Sequence, residues 1–219
     1  MKLKLITSKD GSHTLWREDI KEHYHSTHGA IQESLHVFIS KGLKDVSKSK
    51  QNISILEIGF GTGLNAFLTS ITNDCNISYT GIEAYPIIEE VINQLNYPSQ
   101  IKQKEIQNNF KKIHLAPWEE FSEITPGFHL KKIEGTIQAI NLEKEYDLVY
   151  YDAFGPVYQS EMWDISIFKK IYNAMNIGGV FVTYCAKGQV RRDLQSIGFI
   201  VERLQGPPGK REMLRGRKL

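Results

Sequence analysis

The sequence predicts an α/β fold: a mostly parallel, seven-stranded sheet with helices on both faces, an antiparallel C-terminal strand and a small N-terminal hairpin/helix extension. Three observations predict it. A short, β-branched apolar run from Ile53 to Ile58 reads as a buried strand; it leads into Gly59, Gly61 and Gly63, and helical apolar spacing begins at Leu64. A second such run, Ile77 to Ile82, ends in Glu83, twenty residues beyond Gly63. Strand and helix patterns then alternate to the C-terminus, as expected for a parallel sheet built from βαβ units.

At 219 residues the chain is long enough for one α/β domain with small additions. We divide it into an extension over residues 1–50 and a core domain over residues 51–219. Lys2 to Ile6 alternates polar and apolar, Asp10-Gly11 marks a tight turn and Thr14 to Trp16 continues, so the chain opens on a hairpin. A helix from about Ala30 to Leu43 follows, with Ile31, Leu35, Phe38 and Ile39 at helical spacing, and a polar linker from Asp45 to Lys50 leads to the first core strand. Beyond Glu83, Pro86 to Leu95 reads as a helix opened by proline, whose missing N–H costs nothing there. A helix over Ile101 to Ile113 and a short one beginning at Trp118 fill the next stretch. Phe128 to Ile133 alternates as a third core strand, and Tyr146 to Tyr151 is a fourth. A helix from Ile165 to Met175 precedes Gly178-Gly179, which turn into a fifth strand, Val180 to Cys185. A basic helix (Lys187 to Ile197), a sixth strand (Phe199 to Leu204), the Gly206–Gly209 loop and a closing antiparallel strand (Glu212 to Gly216) complete the chain.

No apolar stretch approaches the ~18 residues that span a bilayer, and Met1 to Ser8 is too short and polar for a signal peptide. Two distant cysteines, Cys75 and Cys185, give no disulfide framework, and a reducing cytoplasm suits them. His23, His25 and His28 share a loop that has no acidic or cysteine partner at ligand spacing, so no metal is expected. Net charge is +2 but unevenly spread: residues 190–219 hold eight basic side chains against three acidic, leaving −3 for the rest. A basic end suits an anionic partner; a solvated helix face with a frayed tail is the plainer reading.

Glycines at alternate positions let a strand turn sharply into a helix and let a ligand approach the backbone. With Glu57 two residues ahead of Gly59, the Glu57–Gly63 stretch resembles the first motif of class I S-adenosylmethionine (SAM) methyltransferases. That resemblance makes Glu57, Gly59, Gly61 and Gly63 cofactor-binding residues. In open α/β sheets ligands lie outside the carboxyl ends of the strands, where Glu83 can accept both ribose hydroxyls. An ordinary glycine-rich turn and a solvated glutamate are the bland alternatives.

Three stretches together resemble the methyltransferase domain of MnmC-type tRNA-modifying enzymes: Glu57 to Asn65, Asp152-Ala-Phe-Gly-Pro156 with Met162-Trp163, and Gly209-Lys-Arg-Glu-Met213. Tyr24 to Glu33 is similar to that family's N-terminal approach to the cofactor. The resemblance implies SAM as cofactor, tRNA as partner and N-methylation of 5-aminomethyl-2-thiouridine at the wobble position. It adds Tyr24 and Glu33 to the cofactor contacts and makes Asp152 the catalytic carboxylate, a cofactor contact in its own right. Phe154 and Pro156 are expected to wall the pocket and stack on the base, and Lys210 and Arg211 to grip the anticodon backbone, with Arg191 and Arg192 extending the track. The family often has Ala and Pro where this chain has Gly155 and Ser160, and Gly-Asp where it has Gly135-Thr136. Some members carry a fused flavin-dependent oxidase; none is expected within 219 residues, so a separate oxidase or upstream modification enzyme is an expected partner. Two other readings keep the fold. An aminopropyltransferase would use decarboxylated SAM and pair Asp152 with Glu161 or Asp164, and a non-catalytic fold would only bind RNA.

Overall fold

The computed structural model describes residues 2–72, 75–101, 107–142 and 145–219. Strands β1 (Leu3–Thr7), β2 (His13–Arg17) and β3 (Glu22–His23) form a small antiparallel sheet, with Leu3 opposite Arg17 and Thr7 opposite His13. Asp10 builds the turn between β1 and β2: its Oδ1 accepts from the hydroxyls of Ser8 and Ser12.

Helix α1 runs over residues 30–46 and is π-wound from Leu35 to Leu43. It buries Val37, Phe38, Ile39 and Leu43, and Gly42 lies so close to the sheet that a Cβ there would sit 3.1 Å from Val182 and 3.3 Å from Leu148. The extension therefore shares one core with the sheet across the boundary at residue 50. Truncating a buried contact such as Leu148 to Ala would cost about 2–5 kcal/mol.

The main sheet contains β4 (Asn52–Ile58), β5 (Asn76–Glu83), β6 (Phe121–Thr125), β7 (Phe128–Glu134), β8 (Tyr146–Tyr151), β9 (Met175–Thr183), β10 (Phe199–Gln205) and β11 (Glu212–Lys218). Its order is β10-β11-β9-β8-β4-β5-β7-β6, parallel except for β11 against both neighbours and β6 against β7. Strand order reverses between β4 and β8, and the carboxyl ends of β4, β5 and β8 open a crevice there. Helices α2 (Leu64–Ile71), α3 (Glu89–Ile92), α4 (Tyr97–Gln100), α5 (Gln107–Leu115), α6 (Ile165–Ala174) and α7 (Gly188–Ser196) complete the fold. Two apolar clusters flank the sheet, one around Phe38, Phe67 and Tyr150 and the other around Tyr151, Phe168 and Phe181.

The structure departs from the sequence expectation in four places. The sheet has eight strands, because Phe121–Thr125 returns against β7 through Pro126-Gly127, with Gly127 at φ +79°. Trp118 accordingly starts no helix: it bridges to Lys132, whose ammonium lies over the indole. The helix expected over 86–95 shrinks to Glu89–Ile92, since Ile88 is extended and Asn96 ties the following turn to the hairpin by bonding His13 N–H and Gly11 C=O. Strand β9 begins at Met175 rather than Val180, with a register shift near Gly178 and Gly179. Of the helix expected over 101–113, residues 102–106 lie outside the described residues.

Candidate active site

The loop after β4 is fixed by its own backbone. Gly59 and Phe60 donate their N–H groups to Ile82 C=O, and Asp152 N–H donates to Ile58 C=O, so three strand ends are bound together. Gly59 has φ +88°, and a Cβ there would fall 2.7 Å from the Asp152 carbonyl oxygen. Gly61, at φ +51°, passes under the Tyr24 ring, which a Cβ would approach to 3.2 Å. Both positions thus require glycine, and the loop presents bare backbone to a cavity of about 380 Å³.

That cavity is lined by Gly59, Gly61, Glu83, Asp152, Tyr24 and Phe154, together with Arg17, Thr136 and Met162. Glu83 Oε2 accepts from Gly61 N–H at 2.8 Å and Oε1 from Tyr85 N–H at 2.9 Å. These bonds aim the carboxylate and leave each oxygen lone-pair capacity for a ribose hydroxyl. Bare loop backbone, an acid at the end of β5, apolar walls from Ile58, Ile82 and Ile137, and Asp152 opposite fit the ribose, amino-acid and sulfonium parts of SAM. Thr136 stands at the wall and offers a hydroxyl where the family often has a carboxylate.

Asp152, half-buried at the end of β8, receives the Asn65 side-chain amide on Oδ2 at 2.8 Å. Burial raises its pKa to about 7; the charge of Glu33 adds to the rise, while the Asn65 bond and Lys210 oppose it. Asn65 also donates to Glu57 Oε1 at 2.8 Å, and Tyr79 OH donates to Glu57 Oε2 at 2.7 Å. Glu57 is 0% exposed and is not part of the cavity wall; Asn65 links it to Asp152, which is. Burial pushes its pKa well above the usual carboxylate range.

The Asp152–Pro156 loop is held by distant groups. Trp163 Nε1–H donates to Phe154 C=O and Tyr184 OH to Ala153 C=O, each at 2.8 Å. Phe154 meets Tyr24 edge-on with centroids 4.9 Å apart, and the Arg17 guanidinium lies 5.6 Å from the Phe154 ring centre. Glu33 and Lys210 face a second cavity, which Tyr24 and Phe154 also line. Gly63 begins α2 with φ +70°, Pro156 lies off both cavity walls, and Arg211 is exposed.

The basic tail is mostly engaged inside the fold. Arg217 pairs with Asp45 at 2.6 Å, Arg215 with Asp45 and Glu202, Arg203 with Glu212, and Lys210 with Glu33. Arg191 is half-buried, whereas Arg192 and Arg211 reach solvent. The sequence reading named neither Arg17 nor Tyr184 and gave Asn65 no role. Only Asn65, inside the glycine motif, carried a local signal.

The sheet order and the loop-and-acid crevice define a SAM-dependent methyltransferase of class I. Residues 96–219 match the sequence model of a family described as S-adenosyl-L-methionine-dependent methyltransferase, and the chain belongs to that family. Its likeness within that family is to MnmC-type domains. It is 29% identical over 233 residues to the tRNA 5-methylaminomethyl-2-thiouridine biosynthesis bifunctional protein MnmC of Marinomonas sp. (strain MWYL1), covering 92% of this chain and 33% of that protein. The protein of the same name from Cupriavidus metallidurans is 29% identical over 224 residues, with 95% and 33% covered. The chain thus spans about a third of the length of these relatives. The crystal structure of MNMC2 from Aquifex aeolicus superposes with a TM-score of 0.79 at 26% identity, covering 99% of this chain and 70% of that one. Spermidine synthase from Thermotoga maritima shares the fold at a TM-score of 0.59 and 10% identity.

Proposed function

We propose that the protein methylates the primary amine of 5-aminomethyl-2-thiouridine at the wobble position of tRNA. The observation that carries this reading is Asp152. It is a carboxylate held by Asn65 at the mouth of the cofactor cavity, with a pKa of about 7, where a proton acceptor for an amine is needed. The names of the relatives, with the resemblance of the Asp152–Pro156 stretch to the family, supply the acceptor. On this reading the aminomethyl group comes from an upstream activity, of the flavin-dependent oxidase kind the resemblance implies.

SAM bound at this cavity would supply an electrophilic methyl on its sulfonium, the sulfur keeping the C–S electron pair as the acceptor nitrogen takes the methyl. The chain does the rest. An alkylamine has a pKa near 10.4, so at pH 7 only about 0.04% is neutral. Asp152 takes one proton from the acceptor ammonium and leaves the nitrogen lone pair free at the cavity mouth. The protein makes no covalent bond, and orientation supplies much of the acceleration. Tyr24 and Phe154, in edge-on contact, present aromatic surface to the cavity. Pro156 and Phe154 stiffen the loop on which an unstacked base would rest. Arg211, with Arg191 and Arg192, supplies phosphate contacts. The aminopropyltransferase alternative is less favoured: Asp164 is exposed and caps α6 by accepting Ser166 N–H, and although Glu161 lines the cavity with Asp152, the relatives of 29% identity are MnmC proteins.

Labelled methyl transfer tests the reading. Label from SAM should enter tRNA that carries the wobble aminomethyl group and not a transcript lacking it. Equal labelling of both would overturn the acceptor assignment.

A further inference from the structure

The second cavity, of about 230 Å³, lies on the other side of the Tyr24–Phe154 pair from the cofactor cavity, and Tyr24, His25 and Phe154 line both. Its walls combine carboxylates (Glu22, Glu33) with the rings of Tyr24, Phe154 and Tyr184. Carboxylates beside aromatic faces recognise alkylammonium groups, through charge-assisted hydrogen bonds and the negative face of the ring. An alkylammonium already sits there. Lys210 Nζ is 2.5 Å from Glu33 Oε1 and 3.8 Å from the centre of the Tyr184 ring.

Two further observations point to a ligand rather than a purely structural ion pair. Glu33 is a 5% exposed carboxylate on the wall of this cavity, and its charge reaches Asp152, which lines the neighbouring cofactor cavity. A second observation is His25, which is 8% exposed and whose Nδ1 has no hydrogen-bond partner among the described residues, an orphan that an incoming N–H would satisfy. Lys210 comes from the Gly206–Gly209 loop, whose tip at Pro208 and Gly209 is exposed, so its side chain reaches the cavity from a segment facing solvent.

We propose that this cavity is the seat of the acceptor's alkylammonium group, held by the Glu33 carboxylate and the Tyr184 ring face, and that Lys210 fills the seat until the acceptor displaces it. The inference rests on the amine-methylation reading and assigns Glu33 to the acceptor rather than to the cofactor. The exchange swaps one ammonium for another, so the charge facing Glu33 and Asp152 is conserved. The displaced Lys210 is then free to meet a tRNA phosphate. The seat is a holding site: Tyr24 and Phe154 line both cavities, and the amine moves past these rings to reach Asp152 on the wall of the cofactor cavity.

Calorimetry with two nucleosides tests this in the full chain with SAM present: 5-aminomethyluridine, which carries the ammonium, and 5-hydroxymethyluridine, its neutral counterpart. Wild type should bind the first more tightly. Lys210→Ala should tighten 5-aminomethyluridine several-fold and leave 5-hydroxymethyluridine unchanged. Glu33→Gln and Tyr184→Leu should each weaken the amine at least tenfold and erase the preference, with Glu33→Gln keeping its SAM affinity. Melting curves identify a variant that fails to fold, and Lys210→Ala alone then decides. A wild type without preference, an Lys210→Ala variant that weakens both nucleosides alike, or an Glu33→Gln variant that keeps the preference would each overturn the seat. A wild type that prefers the amine yet transfers no methyl to it or to tRNA would support the seat and refute the methylation reading.

Discussion

Replacing Asp152 by Asn keeps the shape of the side chain and its contact with Asn65 but removes the proton acceptor. In the wild type, kcat/KM reports ionisation of the free enzyme. With a pKa of about 7, Asp152 is about one-tenth ionised at pH 6, so kcat/KM should fall roughly tenfold below its plateau. Above pH 7 the rate should flatten, because ionised Asp152 accepts from the abundant ammonium form. The variant must wait for neutral amine from solution. That fraction is about 0.04% at pH 7 and grows tenfold per pH unit, to about 4% at pH 9. From pH 7 to 9 the wild type gains about twofold and the variant about a hundredfold, so their ratio should collapse by about fifty. Single-turnover methylation of tRNA across pH 5.5–9 measures it. A ratio that stays constant from pH 7 to 9 would refute the proton-acceptor role. Stability gives a second sign. Because the folded pKa is raised, the contribution of Asp152 to stability is fully present below about pH 4 and is lost as the pH rises through 7. Asp152→Asn should therefore flatten the fall in melting temperature over that window.

Other outcomes follow from the same geometry. Glu83→Ala should weaken SAM binding by about 1.5–3 kcal/mol, the usual worth of hydrogen bonds to a charged group; unchanged affinity by calorimetry would remove Glu83 from the site. Asn65→Leu leaves Glu57 and Asp152 without their shared donor, so the acid limb of the kcat/KM profile should move to higher pH while tRNA affinity holds. An unmoved limb would confine Asn65 to packing. Replacing Arg191, Arg192 and Arg211 together by Ala should flatten the dependence of log binding constant on log salt by up to about three units, without changing SAM affinity. An unaltered slope would place the backbone track elsewhere.

The turn at the end of β4 was legible because its signals are local. Gly59 and Gly61 sit where the turn forbids a Cβ, and Glu83 and Asp152 end strands whose apolar runs are unmistakable. Strand β6 was obscured because Phe121 to Thr125 is short and half-polar at a sheet edge, and the Pro126-Gly127 turn was its one strong mark. The short helix at Glu89–Ile92 depends on Asn96 bonding to residues more than eighty positions earlier, which no window detects. The tail shows the same limit most sharply. Its basic surplus is real in composition, yet Asp45 and Glu33 engage Arg215, Arg217 and Lys210 from more than 160 residues away. Fold-level pairing of that kind also placed Lys210, which reads as a phosphate contact in sequence, in the second cavity beside Glu33.

Nucleoside mass analysis of the methylated tRNA bears most directly on the central claim. Hypomodified tRNA carrying 5-aminomethyl-2-thiouridine, incubated with the protein and SAM and then digested, should show that nucleoside heavier by one CH2 and every other nucleoside unchanged. An unchanged wobble nucleoside, or the CH2 gain on a different base, would contradict the assignment of this site to the wobble amine.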